Sequence, residues 1–86
     1  MNINELIAIV KNKLTNQLII ENIRIEDKSF LHKNHPGNQE DKFHLKIIID
    51  SNQLKEMSKI DSNKRIYKVL EYEMKNYIHS LQILIT

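Results

Sequence analysis

The chain has 86 residues, with 13 basic and 11 acidic side chains, four histidines, three tyrosines and no cysteine or tryptophan. One domain with a modest core is the expectation; at 41% hydrophobic and 28% charged, the composition suits a soluble globular protein, and the mild net charge of +2 permits nucleic-acid binding without indicating it. Zero cysteine excludes disulfides, thiolate zinc sites and an intrinsic redox dithiol, so any thiol or iron–sulfur chemistry must take its sulfur from elsewhere.

Residues 3–14 read as an amphipathic helix. Ile3, Leu6, Ile7, Val10 and Leu14 share one face, and Asn2 followed by Glu5 resembles a capping box. Nothing ahead of this helix reads as a signal peptide, because Glu5 interrupts the apolar residues and no basic leader precedes them. No apolar run approaches membrane-spanning length, and a cytoplasmic setting is expected.

Residues 17–26 turn strand-like. Leu18, Ile19 and Ile20 open the segment, and then Ile23 and Ile25 alternate with Asn22, Arg24 and Glu26, the break implying a bulge or a late strand start. Residues 27–42 hold the sole Pro and the sole Gly and read as a long, mobile connection. Phe43–Asp50 is the clearest strand, with Phe43, Leu45, Ile47 and Ile49 on one side and His44, Lys46, Ile48 and Asp50 on the other. His44 is therefore expected as an ordinary exposed or cross-strand residue.

Ser51 or Asn52 can cap a short helix carrying Leu54 and Met57, and Asp61 or Ser62 a longer one with Ile66, Val69, Leu70, Met74 and Tyr77 inward. Leu81, Ile83 and Ile85 then alternate with Ser80, Gln82 and Leu84 as a last strand. The order α-β-β-α-α-β predicts a small α+β domain over residues 1–86: a three-stranded mixed sheet with helices on one face. The first two strands should be antiparallel, and the third, after a helical crossover, parallel to one of them.

Two histidine-bearing segments stand out. One is the stretch from Asp27 to Gly37, with His32 and His35; the other is Tyr77-Ile78-His79-Ser80-Leu81. Neutral imidazole is a good ligand for borderline metals and iron, so two distant histidines can make half a metal site.

Four segments in order resemble the BolA-like protein family. They are Asp27-Lys28-Ser29-Phe30-Leu31-His32; the strand His44-Leu45-Lys46-Ile47-Ile48-Ile49-Asp50-Ser51; the helix from Arg65 to Met74; and Ile78-His79-Ser80-Leu81, whose histidine is the family's hallmark. The resemblance implies a class II KH-like fold. The chain departs from the family in Ser62-Asn63-Lys64-Arg65, which lacks the aromatic base of the family's basic cluster, and at Leu54, where a Phe is usual.

By that resemblance the chain is an adaptor, not an enzyme, that partners a monothiol glutaredoxin and shares a [2Fe-2S] cluster with it and glutathione, in cluster trafficking or iron homeostasis. His79 and one of His32 or His35 are then the ligands; free, the protein carries no cofactor and is a monomer or weak homodimer. Two imidazoles in place of thiolates reduce the negative charge on an iron and raise its potential. The alternative is a DNA-binding transcriptional regulator of the stress or morphology type, using Lys55, Lys59, Lys64, Arg65 and Lys68. The Gly-x-x-Gly clamp of a true KH domain is excluded, because Gly37 is the one glycine.

Overall fold

A computed structural model describes residues 1–29 and 42–86. The elements run α1 (Ile3–Gln17), β1 (Asn22–Asp27), β2 (Phe43–Asp50), α2 (Asn52–Lys55), α3 (Lys59–Val69), α4 (Glu71–Asn76) and β3 (Ile78–Ile85). The sheet order is β1-β2-β3, with β1 antiparallel and β3 parallel to β2. The α+β architecture is as the hydropathy pattern predicts.

Asn2 caps α1, its side chain accepting from the Glu5 N–H at 2.8 Å and donating to Glu5 Oε1 at 2.7 Å. The helix buries Leu6, Val10 and Leu14 and runs a turn further than expected, to Gln17. Leu18 is therefore the buried end of a helix rather than the start of a strand. The late strand start is the correct alternative: β1 opens at Asn22, where Ile23 and Ile25 pair with Ile49 and Ile47. It also reaches one residue further than expected, with Asp27 opposite Leu45, so the connection begins after Asp27. Most of that connection, with His32 and His35, lies outside the described residues.

Along β2 the alternation holds. Leu45, Ile47 and Ile49 are buried against the helices, joined by Leu54, Ile66, Leu70 and Ile78 in one core. Ile83 and Leu81 of β3 pack at its margin, while Arg24, Lys46, Ile48 and Gln82 occupy the opposite, open face of the sheet.

Two helix boundaries differ from the sequence reading. Ser58, not Asp61 or Ser62, caps α3: its hydroxyl accepts the Asp61 N–H at 3.1 Å, and Ser62 is buried inside the helix, donating to the Lys59 carbonyl at 3.0 Å. The exposed first turn carries no apolar periodicity beyond Ile60, so its start is invisible to hydropathy. The expected single long helix is bent into two at Leu70 (φ −99°, ψ 17°), although the Met74 N–H still bonds the Leu70 carbonyl at 2.8 Å. The bend accompanies burial of Glu73, a residue the helical pattern would leave in solvent.

Candidate functional site

The site is built where β1 ends, β2 begins and β3 begins. At the end of β1 the Asp27 carboxylate accepts the Ser29 N–H at 2.9 Å, an Asx-type turn that fixes Ser29. The Ser29 hydroxyl in turn accepts the His44 N–H at 3.1 Å, and the His44 carbonyl accepts from Lys28 at 2.7 Å. The acidic-x-Ser spacing at 27–29 thus clamps the backbone of His44.

On the other side β3 carries one residue too many. Phe43 pairs with Ile78, but His44 pairs with Ser80, so His79 is the extra residue of a β-bulge. The bulge lets Ile78 and Leu81, three apart, both turn to the core, and it leaves His79 exposed at the rim. His44 lies on the open face yet is only 4% exposed. Its Nδ1 is 2.6 Å from Ser80 Oγ, and its ring meets His79 edge-on, with centroids 4.8 Å apart. The expected cross-strand role of His44 is correct; the expected exposure is not. Sequence reasoning missed His44 as part of the site, because its burial depends on a bulge in a strand 35 positions away.

His79 is exposed, and its imidazole makes no hydrogen bond among the described residues. That donor suits iron or another borderline metal. Among the described residues no three His, Asp or Glu side chains gather as a metal site, so a metal held by His79 would need donors from elsewhere. Nearby on β1, Glu26 is flanked by Lys28 at 3.3 Å and Arg24 at 3.4 Å. Its hydrogen bond from Lys28, with the Lys28, Arg24 and Lys46 charges, outweighs the opposing desolvation and holds its carboxyl below the usual range.

The five basic residues of the nucleic-acid reading do not form one patch. At about 100° per residue, Lys64, Arg65 and Lys68 share the solvent side of α3 with Asp61, whereas Lys59 is half a turn from Lys68. Lys55 and Lys59 border a groove beside β3, with Lys55 3.6 Å from Asp50. Arg65 and Lys68 line a second groove with Gln17, Leu18, Val69 and Glu71.

A family model described as BolA-like protein matches residues 14–86. The curated "DNA-binding transcriptional regulator BolA" of Haemophilus influenzae is 29% identical over 75 residues, covering 87% of this chain and 70% of that protein. Among solved structures, the BolA domain of SufE1 from Arabidopsis thaliana superposes with a TM-score of 0.78 at 24% identity, covering 100% of this chain and 93% of that one. BolA1 from Arabidopsis thaliana gives 0.77 at 26% identity, covering 92% and 87%.

Proposed function

The chain belongs to the BolA-like protein family, and from that premise we propose that it is an adaptor that binds a monothiol glutaredoxin and shares a [2Fe-2S] cluster with it. The observation that carries this reading is His79: an exposed imidazole that makes no hydrogen bond among the described residues, on a bulge at the start of β3. His79 would hold one iron together with His32 or His35, and the thiolates for the other iron would come from the glutaredoxin and glutathione. Such a cluster supplies one-electron chemistry and a transferable iron–sulfur unit, at a potential raised by its imidazole ligands. The chain's own part is to present neutral imidazole, because a ligand histidine must shed its proton to bind. The lack of cysteine supports a half-site completed in trans.

A second reading, DNA binding, is favoured by the name of the Haemophilus influenzae relative. It would draw on Lys64, Arg65 and Lys68 of α3, with Lys55 and Lys59 on the separate groove.

One experiment separates the two. The protein and its His79→Ala variant are mixed with a cluster-loaded monothiol glutaredoxin and glutathione, and visible absorption and circular dichroism are followed. The same samples are titrated onto duplex DNA at two salt concentrations. The adaptor reading expects new cluster spectra with the parent protein that His79→Ala loses; identical spectra from the two proteins would remove the ligand assignment. The DNA reading expects binding indifferent to His79→Ala, falling steeply with salt and lost in Lys64→Glu with Arg65→Glu.

A further inference from the structure

The far end of β3 carries a second feature, separate from His79. In a parallel pair, alternate residues of an edge strand point their N–H and C=O toward the neighbour and the rest point outward. Two contacts fix which are which. The Thr86 N–H donates to the Ile49 carbonyl at 2.8 Å, so the even-numbered residues of this end bond to β2. The Leu81 carbonyl accepts the Tyr67 hydroxyl at 3.2 Å from α3, so the odd-numbered residues point outward. Ile83 and Ile85 therefore present main-chain donors and acceptors on the outer edge, and among the described residues nothing else bonds to them there.

That edge does not open onto bare solvent. It borders a groove of about 350 Å³ lined by Leu54 and Met57 beneath, Ser62 and Asn63 on α3, and Lys55 and Lys59 on the rim. Among the described residues no acidic side chain lines it, Asp50 standing outside it at 3.6 Å from Lys55. Edge strands are usually blunted by bulges, prolines or charges, and here the bulge lies at the opposite end of β3.

We propose that this groove binds an extended, acidic-flanked peptide segment of a partner protein, which adds to β3 as a short fourth strand along Ile83–Ile85. Three features select that occupant. The outward main-chain groups at Ile83 and Ile85 match a peptide backbone, and the half-buried Met57, seated over the core residue Leu54, offers an apolar contact to its side chains. Lys59, together with Lys55 whose ammonium lies 3.6 Å from Asp50, leaves the rim net basic, which attracts carboxylates and disfavours a second copy of this chain bringing the same lysines against it. Among the described residues no aromatic side chain lines the groove itself, Tyr67 lying beyond its end at Leu81, so single-stranded nucleic acid finds no stacking platform along Ile83–Ile85. The Tyr67 hydroxyl on Leu81 closes the ladder and limits the pairing to the last turn of the strand's edge.

The test uses the whole chain and a ten-residue peptide of alternating valine and threonine with aspartates at both ends. Controls are the same peptide with lysine ends, two versions N-methylated along one edge or the other, and an oligothymidine decamer. Binding is read by fluorescence anisotropy and by amide chemical shifts. The expected result is binding of the aspartate-ended peptide with shifts at Ile83 and Ile85, and loss of about tenfold or more in affinity for one N-methylated version alone. Lys55→Glu with Lys59→Glu, both exposed and so tolerated by the fold, should reverse the preference between aspartate and lysine ends. Equal binding by both N-methylated peptides, no binding at millimolar peptide, or tighter binding of oligothymidine at the same amides would each overturn the proposal.

Discussion

At His44, strand alternation and burial part company. The residue sits on the face of β2 turned from the helices, where Lys46 and Ile48 are only half-buried, yet its ring is almost fully enclosed. Contacts that hold it include the Ser29 hydroxyl on its N–H, Ser80 Oγ on Nδ1, and the edge of His79. Truncating a buried ring of this size costs about 2–4 kcal/mol, chiefly through the cavity left behind. Losing one hydrogen bond to an exposed hydroxyl costs about 0.5–1.5 kcal/mol. His44→Ala should therefore destabilise clearly more than Ser80→Ala in urea unfolding, and His44→Phe, which keeps a ring against His79, should recover most of the difference. If His44→Ala and Ser80→Ala unfold together, the ring is not supporting that corner. The same variants report on the site, because a loosened His44 should broaden the side-chain resonances of His79 in the free protein.

Ser51 shows what a single cap does for an element. Its hydroxyl accepts the Leu54 N–H at 3.1 Å, opening α2, and donates to the Ile19 carbonyl at 2.6 Å, tying the α1–β1 connection to the end of β2. It is fully buried, whereas Ser58, which caps α3, is exposed. A lost cap costs about 0.5–2 kcal/mol, and a buried group left unpaired adds about 1–3 kcal/mol. Ser51→Ala should lower the urea midpoint more than Ser58→Ala does; equal shifts would mean that the Ile19 carbonyl is satisfied without Ser51. Elements of this kind were legible in the sequence to different degrees. The strand Phe43–Asp50 was readable to the residue, because Leu45, Ile47 and Ile49 alternate against the helices, and only the burial of His44 on the other face departs from the pattern. The start of α3 was not, since its first turn is exposed and gives hydropathy nothing to detect. The bend at Leu70 was hidden for the opposite reason: the apolar spacing of Ile66, Leu70 and Met74 continues through it. The motif singles out His79 as a position in the sequence, but the bulge that exposes it appears only when β2 and β3 are laid in register.

At the scale of the molecule, the first and last helices are joined by one charged contact. Lys13 of α1 reaches Glu73 of α4 at 2.6 Å, sixty positions on, just ahead of the strand that carries His79. The two partners are unequal. Lys13 keeps 37% of its side chain in solvent and passes 5.7 Å from the Tyr72 ring, whereas Glu73 is 4% exposed and its Oε1 has no hydrogen-bond partner among the described residues. Removing the lysine strands a buried carboxylate, an error worth about 3–5 kcal/mol for a fully buried pair and less here because Lys13 is partly hydrated. Removing the glutamate instead returns Lys13 to water at little cost. A double-mutant cycle should thus be lopsided: Lys13→Met strongly destabilising, Glu73→Leu mild, and the double variant close to the parent protein in urea at neutral pH. Tyr77 offers an independent reporter. Its phenol is held above the usual range first by hydrogen bonding with Tyr72, then by the Tyr72 charge, burial and the Glu73 charge. In a 295 nm titration Glu73→Leu should lower the Tyr77 ionisation only part of the way, since the Tyr72 contribution stays. Equal destabilisation by Lys13→Met and Glu73→Leu would show that the pair works as packing, and that charge at Glu73 does not decide how α1 holds α4 behind His79.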